Sequence, residues 1–198
     1  MMENLLTSMN RRKFLIGLSG LAFSSLLACN RKKTHEINEQ TQNMESFDMQ
    51  LRPHHILDII TGHGQGIEYT PHPYGHSQHI VAPKLLSNLD LKIKLVLTAD
   101  DICKGCEHLL SDGKCKDILA QLTPSPSKQA YNDVLDSRLF DHFKISPNTI
   151  LTNRKYLEIV NESVPGLERI CTHPKEIQEE RLEGLISGLV KLGIRKNV

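Results

Sequence analysis

The sequence contains no tryptophan, and its aromatic residues make up only 5% of the chain. Stacking surfaces for nucleotide bases or sugars are therefore scarce. An excess of one charge is missing too, because 24 lysines and arginines oppose 23 aspartates and glutamates and leave a formal net charge of +1. This balance excludes a strongly basic nucleic-acid-binding protein and an acidic solvating chain. We expect no nucleic-acid partner.

Two common functional signatures are also absent. No G-x-S-x-G nucleophile elbow occurs in the chain. The glycines at positions 62, 64 and 66 lack the strand-to-helix frame that a phosphate-binding loop requires. Since no catalytic motif is recognised, nothing in the sequence assigns the chain as an enzyme.

The first thirty residues have the features of an export signal. Arg11 and Arg12 precede an uncharged, weakly apolar segment from Phe14 to Ala28. This segment is shorter than the roughly 20 apolar residues that span a bilayer. A basic start followed by a short apolar run is typical of a signal peptide. A plain N-terminal membrane anchor is the alternative interpretation.

Two strings refine this prediction. The arginine pair resembles the twin-arginine signal, whose translocase exports proteins that are already folded. The segment ends in the string LLAC, which resembles the lipobox of bacterial lipoproteins and implies lipidation of Cys29. We predict a signal over residues 1–28 and a protein that is lipid-anchored at the outer face of the cytoplasmic membrane or in the periplasm. Removing the signal takes away three basic side chains and one acidic side chain, which leaves a formal charge of −1.

The remainder divides into a tether and one domain. Residues 29–49 are polar and contain no glycine or proline, which predicts a solvated tether. Residues 50–198 have the length of one ordinary domain. We predict an α+β fold that is mainly helical, with four to five helices and one or two short strands. Apolar periodicity places the helices at 53–60, where the three glycines end the first one, and at 77–87, 127–143, 151–160 and 175–192, and a strand at 91–98.

The helix predicted over residues 127–143 has an apolar and a charged face. Its period predicts that Ala130, Val134, Leu135 and Leu139 point inward. Asp136, together with Asp133 and Asp141, is expected on the solvent-exposed face.

The chain has five cysteines, an odd number that leaves one without a partner. Lipidation of Cys29 would explain the extra cysteine. The remaining four are Cys103, Cys106, Cys115 and Cys171. Cys103 and Cys106 enclose a two-residue turn that aims both sulfur atoms to one side. Four thiolates suit a zinc ion or a four-iron cluster equally well. Outside the cytoplasm, the same cysteines could instead form two disulfides or a redox-active thiol pair.

The predicted export route favours the cluster over zinc, disulfides and a redox-active thiol pair. A translocase for folded proteins is needed most when a cofactor is inserted in the cytoplasm, where thiols stay reduced. We therefore expect an iron–sulfur cluster of the 4Fe-4S type, with zinc as the alternative. Asp100 and Asp101 precede the cysteine turn, where they can cap it or accept hydrogen bonds from the residues around a metal.

Six of the ten histidines fall between His54 and His79. Imidazole is the commonest protein ligand of metals. His72 and His76 are candidates for a second metal site or for completing the first one. The alternative is a structural role, since the local spacing matches no specific zinc pattern.

The string LRPHH at 51–55, followed by DDICKGC at 100–106, resembles the DUF1284 family of unknown function. The resemblance implies iron–sulfur binding through cysteines. Asp58 stands where that family commonly has a cysteine, and Cys171 followed by His173 stands where it has further cysteines. Asp58 and His173 are therefore candidate oxygen and nitrogen ligands. His54 and His55 are candidate ligands, or residues that hold the ligands.

The expected function is electron transfer or redox sensing at the membrane with an unknown redox partner protein. The alternative is a non-redox binding module that zinc or two disulfides hold together.

Overall fold

A computed structural model describes residues 46–170, 175 and 177–196. Its described part contains five α-helices and one small sheet of three strands, which confirms the prediction of a mainly helical α+β fold. The predicted signal, Cys29, Cys171 and His173 lie outside the described residues, as does the predicted tether up to residue 45. The elements are β1 (Met49–Leu51), α1 (Pro53–Gln65), α2 (Gln78–Ser87), β2 (Lys92–Leu95), α3 (Lys128–Phe143), β3 (Ile150–Thr152), α4 (Asn153–Glu162) and α5 (Gln178–Lys191), with a 3-10 turn at Leu167–Arg169.

The sheet has β2 at its centre. β1 pairs with β2 in parallel, with Leu51 opposite Leu95, and β3 pairs with β2 antiparallel, with Leu151 opposite Ile93. Ile93 and Leu95 are buried, whereas the alternate residue Lys92 is exposed. This alternation is the pattern from which the strand was predicted. The connection from β1 to β2 carries α1 and α2, so α1 begins directly at the end of a sheet strand.

Helix α1 corrects one prediction from the sequence. Pro53 occupies its first turn as expected, but the helix continues through Gly62 and Gly64 and ends only at Gly66, which has φ +79°. The two inner glycines lie at close contacts: a Cβ atom on Gly62 would lie 2.7 Å from the Tyr69 hydroxyl, and Gly64 faces α5. A Cβ atom on Gly64 would overlap the carbonyl oxygen of Gly184 in α5.

The core lies between α1, α5 and the other helices. Side chains of α1 such as Ile56, Ile59 and Ile60 are fully buried, and Leu189 of α5 is buried among the same cluster. No helix in the described part of the chain is long and apolar enough to cross a membrane.

The predicted start of α3 is confirmed, because the Ser127 hydroxyl accepts a hydrogen bond from the Ala130 N–H at 3.3 Å. Leu135 and Leu139 are buried as predicted, but Ala130 is exposed and Val134 is 52% exposed, so the inward placement of these two residues was wrong. Between β2 and α3 the chain runs from residue 96 to 127 without a helix. This irregular segment carries the described cysteines.

Candidate functional site

A cavity of about 360 Å³ lies between the first turns of α1 and the irregular segment before α3. The structure brings several separately predicted residues to its wall, including histidines from α1, a histidine from the loop after α1, and the three described cysteines. These residues are His54, His55, Asp58, His76, Cys103, Cys106 and Cys115. A neighbouring cavity of about 400 Å³ is lined by His72 and shares Asp58 and His76 with the first.

The Cys103–Cys106 turn is held by backbone contacts. The Cys106 N–H donates to the Cys103 carbonyl at 3.1 Å, and Gly105 has φ +80°, a conformation that favours glycine. Gly75 packs against this turn so closely that a Cβ atom on it would lie 2.7 Å from the Gly105 carbonyl oxygen. The loop that carries His76 is therefore fixed against the cysteine turn.

Cys115 reaches the same cavity from a hairpin-like bend. It forms an isolated antiparallel bridge with Leu109, and its N–H donates to the Gln129 side-chain oxygen on α3 at 2.8 Å. All three described cysteines are free and partly buried. No disulfide therefore joins any two of them.

Asp100 connects the cysteine turn to α1. Its buried carboxylate accepts hydrogen bonds from the N–H groups of Arg52 at 2.8 Å, Ile102 at 3.0 Å and Cys103 at 3.3 Å. It also contacts His55 Nδ1 at 2.7 Å. The prediction that this aspartate caps the cysteine turn is confirmed.

The same contacts set the pKa values around Asp100. Burial raises the pKa of Asp100, but the charge and hydrogen bond of His55 and the Arg52 N–H outweigh it and lower the pKa to about 2. Burial lowers the pKa of His55, and the charge and hydrogen bond of Asp100 reverse this, so the pKa is raised. Burial and the nearby Asp100 charge raise the pKa of the Cys103 thiol to about 12.

His54 has a carboxylate of its own, and this finding corrects a second prediction. Asp136 is fully buried and does not lie on a solvent-exposed face. Its oxygens lie 2.9 Å from His54 Nδ1, and one of them lies 2.6 Å from Arg52 Nε. Arg52 also contacts Asp133, whose side chain is 46% exposed. Burial, followed by the charge of His55, lowers the pKa of His54.

The remaining candidate residues have different surroundings. Asp58 forms an ion pair with Arg181 of α5 at 2.6 Å. His72 stacks on His76 with ring centroids 4.1 Å apart, and the buried His76 Nδ1 has no hydrogen-bond partner in the described part of the chain. His108, which was not selected from the sequence, lines the main cavity and packs edge-on against Tyr74 at 4.4 Å.

The donor chemistry of the cavity fits a thiophilic metal or cluster, since three free thiols and several imidazoles line one wall. Among the residues that the structure describes, no three His, Cys, Asp or Glu side chains are already grouped to hold a metal ion. The ligands are therefore collected around one space without being preassembled.

Arg52, Asp133 and Asp136 were not selected as site residues from the sequence. Arg52 did carry a signal, because it lies inside the LRPHH string. Asp136 carried none, because its partners in α1 lie more than 80 residues earlier, with 84 residues separating it from Arg52.

Comparison with known proteins finds one family. A family model described as a protein of unknown function, DUF1284, matches residues 69–175, which is more than half of the chain. The match includes all of the cysteines after Cys29 and begins after the LRPHH string and α1. No curated protein and no solved structure matches the chain.

Proposed function

We propose that this chain, which belongs to the DUF1284 family, holds an iron–sulfur cluster in the cavity beside α1 and acts in electron transfer or redox sensing. One observation carries the proposal. Cys103 and Cys106 share one turn and Cys115 comes from a later bend of the irregular segment, yet all three are free and line one cavity with histidines. Thiolates from such turns are the usual ligands of iron–sulfur clusters.

The described cysteines account for three of the four positions of a cubane cluster. Cys171 is the fourth ligand that the sequence offers. When bound, the cluster supplies exchange of single electrons with a redox partner protein. The chain's own residues orient the thiolates: Asp100 holds the Cys103 N–H, and Gln129 holds the Cys115 N–H.

The proposal includes the site of action. The signal over residues 1–28 exports the folded, loaded protein, and the lipid on Cys29 keeps it at the membrane or in the periplasm. Labelled palmitate tests this part: the expected result is incorporation into the full chain and none into Cys29→Ser. Label that persists in the variant would contradict the anchor without bearing on the cluster.

The cluster is tested by purifying the full chain without oxygen and measuring iron, acid-labile sulfide and zinc. We expect about four irons and four sulfides per chain, with a broad visible absorption band that bleaches on reduction. Zinc in stoichiometric amount with no iron would support the non-redox alternative. A purified chain that contains neither iron nor zinc would overturn both the cluster and the zinc site.

Two cysteine variants form a matched pair for this measurement. Cys103→Ser removes a thiolate from the cavity, and iron content is expected to fall severalfold. Cys29→Ser makes the same chemical change outside the domain and is expected to keep the full iron content. Equal iron content in the two variants would show that the cavity does not hold the cluster.

A further inference from the structure

Two cavity histidines, His54 and His55, have rings held by a fully buried carboxylate, and the carboxylate that holds His55 also accepts the Cys103 N–H. The Nδ1 of His55 lies 2.7 Å from an oxygen of Asp100, whose side chain is fully buried. A ring nitrogen that donates to a carboxylate leaves the lone pair of the other nitrogen, Nε2, free to bind. His55 Nε2 has no hydrogen-bond partner among the described residues, and the side chain is 19% exposed at the cavity.

This pairing is the arrangement that metal-binding histidines use. A ligating imidazole almost always donates its second N–H to a carboxylate, a carbonyl or water, which fixes the tautomer and makes the ligating nitrogen more basic. Asp100 provides that carboxylate. The arrangement is therefore already present on the histidine side before any metal enters.

Asp100 also links His55 to a cysteine. The same carboxylate accepts the Cys103 N–H at 3.3 Å and the Ile102 N–H at 3.0 Å. One buried group thus positions an imidazole from α1 and the first thiol of the Cys103–Cys106 turn. Asp58, the candidate oxygen ligand from the sequence, is instead paired with Arg181 at 2.6 Å.

We propose that His55 Nε2 is a ligand of the group held by Cys103, Cys106 and Cys115, in the fourth position that the sequence alone gave to Cys171. This inference rests on the proposed function. It makes Asp100 a positioning residue, because Asp100 acts through His55 and Cys103. Binding moves the four donors together around the metal, since they are not grouped at ligating distance beforehand.

The adjacent histidine provides a matched control. His54 shares the cavity wall, the helix and a buried carboxylate partner, but that partner is Asp136, which is bound to Arg52. The hydrogen bond to the cysteine turn is made by Asp100, which accepts the Cys103 N–H. His54→Gln therefore removes the imidazole whose ring centroid lies 4.2 Å from that of His55, but it leaves His55 and its bond to Asp100 in place.

The decisive measurement uses the anaerobically purified full chain in its reduced, paramagnetic state. Pulsed electron paramagnetic resonance is expected to detect a strongly coupled nitrogen, and growth on ¹⁵N-histidine is expected to change that coupling to the ¹⁵N pattern. Because the isotope experiment needs no variant, it decides histidine ligation even if a variant fails to fold. A cluster without histidine nitrogen coupling would overturn this inference and leave the proposed function standing.

The variants then identify the histidine. His55→Gln is expected to lose the nitrogen coupling, and His54→Gln is expected to keep it. His55→Cys is expected to retain iron but to lower the midpoint potential, because histidine in place of thiolate raises the potential of a cluster. Coupling that survives in His55→Gln, or an unchanged potential in His55→Cys, would overturn the assignment.

If the chain binds zinc instead of iron, cobalt substitution provides the same test. His55→Gln is then expected to change the visible spectrum of the Co²⁺ protein, whereas His54→Gln is not. Identical spectra for wild type and His55→Gln would overturn the inference, and a chain that binds neither iron nor zinc would overturn it together with the proposed function.

Discussion

Helix α1 is held in two different ways along its length. In its first half, the Arg52 cap and the histidines His54 and His55 are bonded to the buried carboxylates Asp136 and Asp100. In its second half, the helix backbone contacts the backbone of α5 at glycines, with no room for a Cβ atom on Gly64. The first half is held by charge and hydrogen bonds, and the second half by steric fit.

The difference separates a polar half of α1 beside the cavity from a half held by packing. A buried ion pair is often no more stabilising than well-packed apolar side chains of similar volume. Stability alone therefore gives no reason for burying an arginine, two histidines and two aspartates at one helix end. The cavity with its three cysteines lies at that end, whereas the atoms nearest the Gly64, Gly184 and Gly188 contacts belong to α1 and α5 themselves.

The largest effect is expected from breaking the polar half. Asp136→Ala removes the carboxylate that lies 2.6 Å from Arg52 Nε and 2.9 Å from His54 Nδ1. Because Arg52 would remain buried with only the half-exposed Asp133 as a charged partner, we expect a loss of about 3–5 kcal/mol in the free energy of unfolding. Denaturant unfolding at pH 7 measures it.

Asp133→Ala is the control for Asp136→Ala. It removes the half-exposed partner of the same arginine and is expected to lower the free energy of unfolding by at most about 1 kcal/mol.

The contribution of Asp136 to stability depends on pH in a definite direction. The interactions with His54 and Arg52 outweigh burial and lower the pKa of Asp136 below its ordinary 3.8, so its contribution is full above that value and falls as the pH drops through the folded pKa. The difference in the free energy of unfolding between wild type and Asp136→Asn is therefore expected to become smaller below about pH 4. A difference that grows there would contradict the buried ion pair.

The steric half is tested by adding one methyl group. A Cβ atom on Gly188 would overlap the carbonyl oxygen of Ile60 in α1. Because this oxygen belongs to the backbone, it cannot move away by a change of rotamer. We expect Gly188→Ala to lower the free energy of unfolding by about 1–3 kcal/mol, although alanine is the better helix former.

Gly66→Asn is the matched glycine control. Gly66 ends α1 with φ +79° and has open space where a Cβ atom would be placed. Asparagine tolerates this left-handed conformation, so the loss is expected to stay below about 1 kcal/mol. If Gly188→Ala were as mild as Gly66→Asn, the second half of α1 would not depend on a tight backbone contact.

The sequence predicted the local features of this molecule better than its long-range contacts. Helix α3 was predicted from its local apolar period, and the Ser127 hydroxyl caps it by accepting a hydrogen bond from the Ala130 N–H three residues later. Gly62 and Gly64 were misread as helix ends. The helix that requires Gly64 lies far along the chain, since Ser187, which donates a hydrogen bond to the Gly64 carbonyl, is 123 positions later. In the sequence, a glycine suggests the end of a helix. Only the tertiary structure shows that Gly64 lies inside a helix, where α1 packs closely against α5.

The candidate site shows the same division. Cysteine spacing and the LRPHH string identified the chemistry, and both are short-range patterns. They did not reveal that Asp100 would hold His55 and Cys103 together, because His55 and Asp100 are 45 residues apart. Asp136 was misplaced for a related reason: a charged residue on a helix is normally solvated, and only its buried partners in α1 reverse that expectation.

The smallest effect is expected at Asp58, which lies where the two halves of α1 meet. Its side chain is 39% exposed and pairs with Arg181 of α5 at 2.6 Å. Arg181 is only 13% exposed, but water reaches the pair through Asp58, so Asp58→Ala is expected to lower the free energy of unfolding by about 1 kcal/mol. The sequence also made Asp58 a candidate oxygen ligand, and the pairing with Arg181 argues against that role.

Iron content separates these two roles of Asp58. With His55 as the nitrogen ligand, Asp58→Ala is expected to keep the iron content and the nitrogen coupling of the wild type. Asp58→Asn, which keeps the size of the side chain, controls for any change in the shape of the cavity. If both variants lost iron while remaining folded, the carboxylate of Asp58 would belong to the ligand set. The polar half of α1 would then extend one turn further than the contacts of His54 and His55 indicate.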